Sequence, residues 1–115
     1  MSPHDRWRLQ HRIEAAEDVQ KFVAGRQRAD LNRDRMLVYA IVRAVEIIGE
    51  AASKISEETR SAHPAIPWKA IIGMRNRLVH AYFDIDASIV WVAVTEEIPA
   101  LLRQLKTLAA IEHDG

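Results

Sequence analysis

At 115 residues the chain has the length of one domain, and with 49% hydrophobic residues it can bury a core without covalent staples. Sixteen basic residues balance sixteen acidic ones and cysteine is absent, so net charge gives no argument for nucleic-acid binding, and disulfides and thiolate metal sites are excluded. No apolar run approaches the ~20 residues of a membrane span and no apolar signal core follows Met1, so the expectation is a cytoplasmic protein without membrane association.

Leu9, Ile13, Ala16, Val19 and Val23 recur at steps of three and four, which predicts a first amphipathic helix ending at Gly25. A polar connection from Arg26 to Asn32 leads to a long second helix from Asp34 to Glu58, with a seam of Leu37, Ile41, Ala44, Ile48, Ala51 and Ile55. Val38, Val42, Val45 and Ala52 widen that seam. Such a helix needs two partners, either two helices of its own chain or one of these and another subunit. Arg43, Glu46, Glu50, Ser53 and Glu57 form a polar line on the same helix. The line reads as a solvent-facing stripe, or, for Glu46 and Glu50, as groups that orient an arginine or a histidine.

Ser61 to Pro67 breaks the pattern, and Pro67 suits the first position of a third helix, which runs from about Trp68 to Ala81. Asp84 or Asp86 would cap a fourth helix carrying Ile89, Val90, Val92, Ala93, Leu101, Leu102, Leu105 and Leu108, with Pro99 kinking or interrupting it near Glu96. No segment alternates as a strand does. The expected fold is an all-α, up-and-down bundle of four main helices, five if Pro99 splits the last. Trp7, Trp68 and Trp91 read as packing or interface anchors. His4 and His11 lie seven apart on the first helix without a third ligand at useful spacing, so neither a metal nor another cofactor is expected.

The segment Arg75-Asn76-Arg77-Leu78-Val79-His80-Ala81-Tyr82 places two permanent cations, an amide, an imidazole and a phenol within eight positions. Guanidinium groups match phosphate oxygens in a bidentate fork, and an imidazole can take and return a proton near neutral pH. Together they can handle a phosphodiester. On a helix Asn76, Arg77 and His80 can converge, whereas Arg75 lies about 140° from His80 at about 100° per residue. Tyr82 shares a face with His80 only if the helix ends at Ala81. The plainer reading makes Arg75 and Arg77 solvated cations, His80 a partner of the helix dipole, and Tyr82 a filler between helices.

The run Ile66-Pro67-Trp68-Lys69-Ala70-Ile71-Ile72-Gly73-Met74, the motif after it, and Val45-Glu46-Ile47-Ile48-Gly49-Glu50-Ala51-Ala52 upstream resemble the signature of the HepT-like toxins of the HEPN superfamily. The resemblance covers nearly the whole chain. It implies a single HEPN-like helical domain over residues 1–115 that forms a homodimer, with Arg75, His80 and Tyr82 of an Arg-x4-His-x-Tyr motif lining a composite cleft. It also implies a metal-independent ribonuclease, endo- or exonucleolytic, whose RNA substrate supplies its own 2′-hydroxyl as nucleophile. In that scheme Arg75 and His80 are catalytic, and Asn76, Arg77, Glu46 and Glu50 are auxiliary. The implied partner is a nucleotidyltransferase antitoxin that transfers AMP to Tyr82 and could assemble with the toxin as a larger hetero-oligomer. The alternative is a non-catalytic subunit that binds nucleotides or the nucleotidyltransferase through the same cleft.

Overall fold

The computed structural model describes residues 2–84 and 86–114; the side chains of 51–53, 79, 81–84 and 112–114 lie outside that description. Helix α1 spans Pro3–Val23, α2 Arg35–Lys54, α3 Glu57–Ala62, α4 Trp68–Asp84, α5 Ala87–Val92 and α6 Ile98–Asp114, with a 3₁₀ turn at Arg28–Asn32 and a π-helical segment at Ala93–Glu97. Among the described residues there is no strand. Because α5, the π segment and α6 follow one another without a break, the described residues form five helical rods, one of them short. The all-α expectation holds.

Helix α1 opens with a cap: the Ser2 hydroxyl accepts the Asp5 amide at 3.1 Å, and Pro3 occupies the first turn, where its missing N–H costs nothing. It closes at Gly25, whose φ of 73° is the left-handed conformation that glycine adopts without strain. Leu9, Ile13, Ala16 and Val19 are buried along it. Helix α2 runs antiparallel beside it, as the pairing of Asp5 with Ser56 and of Arg8 with the Lys54 carbonyl requires. The broad apolar surface of α2 is shared between α1 and α4, so both partners it needs belong to its own chain.

Two boundaries differ from expectation, while α4 begins at Trp68 as expected. The second helix stops at Lys54, because Ser56 leaves it to cap α3, its hydroxyl accepting the Thr59 amide at 3.2 Å. Pro67 stands one residue before α4, its carbonyl accepting the Ile71 amide at 3.0 Å. Helix α4 passes the expected stop at Ala81 and continues to Asp84, since no glycine or proline intervenes. Asp86 then caps α5, its Oδ1 accepting the amides of Ser88 and Ile89.

Pro99 disturbs the last rod where expected. A proline has no amide to give the carbonyl four residues back and its ring presses on that carbonyl. The π segment immediately before α6 absorbs the mismatch, and the Thr95 hydroxyl donates to the Trp91 carbonyl at 2.7 Å. Ile98, Leu101, Leu102, Leu105 and Leu108 keep their apolar face in the core beyond it.

Two charged side chains lie in the interior around α1. Asp5 is fully satisfied: its Oδ2 accepts the hydroxyls of Ser56 and Thr59, each at 2.7 Å. Arg12 is not. It is 0% exposed, its carbon Cζ lies 5.2 Å from the Trp68 ring centroid, and Nε, Nη1 and Nη2 have no hydrogen-bond partner. Burial, with repulsion from Arg60 added, lowers its pKa from the ordinary arginine value to about 10.

Folding disfavours charged Arg12, so the cost is fully present below about 10 and is relieved only as pH rises from there toward the ordinary arginine pKa. That cost is on the order of 3 kcal/mol, against which the cation–π contact returns about 2. Arg12→Met keeps the stem and drops the charge. It is expected to stabilise the fold by about 1 kcal/mol at neutral pH, which thermal unfolding would read as a Tm about 4 °C higher.

Candidate functional site

The site is built on α4, and its position is set at the start of that helix. Trp68 is buried, with its indole Nε1 donating to the His63 carbonyl at 3.1 Å, which fixes the entry of the chain. Ile71, Met74 and Leu78 follow at steps of three, three and four and face the core. That seam leaves Arg75, Asn76, Arg77 and His80 on the remaining circumference. Arg75 is half-buried at the edge of the α2–α4 contact; Asn76, Arg77 and His80 are exposed.

The aliphatic stem of Arg75 lies directly on α2 at Gly49. A Cβ at position 49 would stand 2.6 Å from Arg75 Cγ, 2.7 Å from its Cβ and 3.3 Å from its Cδ. Its guanidinium then turns along its own helix, Nη1 donating to Asn76 Oδ1 at 3.0 Å. Asn76 therefore partners Arg75. Arg77 is drawn the other way, its Nη2 donating to Glu97 Oε2 at 3.0 Å in an exposed ion pair that ties α4 to the π segment. His80 presents its imidazole to solvent, and among the described residues none forms a hydrogen bond or ion pair with it.

The convergence of Asn76 and Arg77 on His80 that helical spacing allows is therefore not the arrangement observed. Each has a nearer charge or dipole to satisfy. Tyr82 falls on α4, but its side chain lies outside the described residues. With the helix continuing to Asp84, positions 80 and 82 are about 200° apart around the axis, at about 100° per residue. On α2, half-buried Glu46 pairs with Arg43 at 3.4 Å, and Glu50 is exposed next to Gly49. Glu46 lies three residues before Gly49, so both stand on neighbouring parts of the helix surface. Ser53 belongs to the same line, with its side chain outside the described residues.

Trp91 is half-buried in the core margin, while Trp7 is exposed and packs on His11 with ring centroids 3.9 Å apart. Among the described residues there is no group of three His, Asp or Glu side chains that could hold a metal ion, and no helix is long and apolar enough to cross a membrane. Chemically, the site offers an anchored guanidinium and an accessible imidazole on one helix, about 7.5 Å apart along its axis.

The family model of HepT-like ribonucleases matches residues 12–108, a span that holds α2, α4 and the whole motif. The chain belongs to the HepT-like ribonuclease family. A protein assigned as an RNase in Caldanaerobacter subterraneus subsp. tengcongensis is 39% identical over 100 residues, covering 87% of this chain and 89% of that one. A protein assigned as ribonuclease HepT in Thermococcus cleftensis is 37% identical over 87% of this chain and 91% of its own. A Methanocaldococcus jannaschii protein assigned as an RNase is also 37% identical, over 82% and 86%. No solved structure matches the chain. The HepT-like family is one of ribonucleases, so RNA is the substrate class that membership implies and the site on α4 is to be judged against a phosphodiester.

Sequence reasoning placed the motif on one helix and left Gly49 without a role. The signals for Gly49 were its place in the family-like run from Val45 to Ala52 and the absence of a side chain in a helix otherwise rich in branched ones.

Proposed function

We propose that this chain is the ribonuclease toxin of a toxin–antitoxin module, cutting RNA without a metal. His80 removes the proton from a ribose 2′-hydroxyl, the 2′-oxygen attacks the adjacent phosphorus, and the 5′-oxygen leaves with a proton, giving a 2′,3′-cyclic phosphate. Arg75 holds the negative charge that builds on the phosphorane. The observation that carries this reading is the pairing of a guanidinium braced by α2 and Asn76 with an exposed imidazole on the same helix, in a chain of ribonuclease lineage.

Because Arg75 and His80 point about 140° apart, the cleft is composite: two chains pair so that the motif of one completes that of the other. The same pairing gives Tyr82 a route to the cleft that a continuous α4 denies it within one chain. Control comes from a nucleotidyltransferase antitoxin that transfers AMP to the Tyr82 hydroxyl and can assemble with the toxin. The added phosphate brings bulk and negative charge to the place where the RNA phosphate binds.

Induced expression tests this reading. Wild type should arrest growth, His80→Ala should not, and Tyr82→Phe should arrest growth even with the nucleotidyltransferase present. Identical, harmless behaviour of wild type and His80→Ala would instead mark a non-catalytic partner of the nucleotidyltransferase. Rescue of Tyr82→Phe by the antitoxin would remove the tyrosine from the control step.

A further inference from the structure

We propose that Gly49 is a positioning residue for Arg75, acting as the seat on α2 that fixes where the guanidinium stands. The inference rests on the ribonuclease reading of Arg75 and extends it to a residue on another helix, 26 positions away in sequence.

The argument is steric. Contacts below 3.0 Å are essentially never made by real Cβ atoms, and a Cβ at position 49 would fall below that limit on two Arg75 carbons, Cβ and Cγ. These are not the loose end of a long side chain. Cβ is fixed by the backbone of α4, and Cγ is one bond beyond it, so neither can swing away without a change of rotamer or of helix position. Any side chain at 49 therefore forces α4 off α2 or turns the Arg75 stem out of its groove. In both cases the guanidinium leaves the place where Asn76 Oδ1 meets it.

The glycine serves no backbone need that would explain it otherwise. Gly49 lies inside α2, and among the described residues the one glycine with positive φ is Gly25. Inside a helix, glycine lowers stability relative to alanine. A residue that weakens its own helix, while the three atoms nearest to where its Cβ would stand all belong to the proposed catalytic arginine, is placed for that arginine. Gly73, also within a helix, has nothing within 4 Å of where its Cβ would be, so close approach is not general to helical glycines here.

The test is RNA cleavage by Gly49→Ala, followed as kcat and KM across pH. A misplacement of about 1 Å can cost on the order of 10²-fold in rate, so kcat should fall by about that factor. KM and the shape of the pH profile should barely move. The same substitution in an Arg75→Ala background separates positioning from packing, because alanine at 75 retains the Cβ that Gly49 approaches. If Gly49 acts through the guanidinium, Gly49→Ala has no further effect there; an equal loss in both backgrounds would overturn the proposal. Ile48→Val, which loosens the core beside position 49, controls for lost stability and should leave kcat unchanged.

The NMR resonance of the Arg75 Nε–Hε group provides a readout independent of activity and should shift in Gly49→Ala. An unshifted resonance with unchanged kcat in an active enzyme would sink the seat and leave the ribonuclease reading standing. A wild-type protein that cuts no RNA would overturn that reading and the positioning role of Gly49 with it.

Discussion

Alanine at position 80 is expected to lower RNA cleavage by about 10²- to 10⁴-fold, the contribution of a positioned general acid or base. His80 is exposed, and among the described residues nothing is bonded to it, so its removal leaves no buried group unsatisfied. Stability should therefore stay within about 0.5 kcal/mol of wild type, as for surface positions generally. A large activity loss with an unchanged Tm is what separates a catalytic imidazole from a structural one. A single-turnover assay with thermal unfolding of both proteins reads both quantities, and a stable variant that cuts RNA like wild type would remove His80 from the chemistry.

The opposite pattern is expected at Asp5, where stability suffers and the site does not. Burial alone would raise the Asp5 carboxyl, but bonds from the Thr59 and Ser56 hydroxyls and the Ser56 amide, together with the Arg8 charge 3.5 Å away, outweigh it and hold the pKa below the ordinary 3.8. Charge-assisted hydrogen bonds are the strong ones. Asp5→Ala breaks the link between the start of α1 and the start of α3, at a cost of about 3 kcal/mol and a Tm lower by about 12 °C. Because the folded pKa is depressed, this contribution is present above the unfolded value and is lost as pH falls through the folded one. Urea unfolding across acid pH would show the gap between wild type and Asp5→Ala narrowing as pH falls below the ordinary carboxylate range. A gap that stays constant with pH would mean that the charge of Asp5 carries none of the effect.

Much of the fold could be read from local pattern, because local physics decides it. The Leu9 to Val19 and Leu37 to Ile48 seams, the Gly25 stop and the Pro99 disturbance each depend on residues within a few positions of one another. The end of α2 could not be read this way. Ser56 sits where the apolar period still continues to Ile55, and what draws it out of the helix includes a carboxylate 51 residues earlier. Arg12 was hidden for a related reason: an arginine on an amphipathic helix reads as solvated, and only the fold places it under Trp68.

The site divides in the same manner. The motif identifies which residues matter, and helix periodicity places them on one element. Which of them touch is decided by distant partners, Glu97 for Arg77 and Gly49 for Arg75, which no spacing rule within the motif reveals. The short link from Arg75 to Asn76 also escapes the three-and-four rule for helical neighbours, because a long side chain can curl back to the adjacent residue.

The central claim is that His80 and Arg75 cut RNA through its own 2′-hydroxyl, and the most direct measurement is incubation of the unmodified protein with total RNA in EDTA, beside His80→Ala, with analysis of the new 3′ ends. Wild type is expected to give fragments ending in cyclic phosphate and the variant none. Intact RNA with protein confirmed free of AMP at Tyr82, or equal fragments from both proteins, would contradict it.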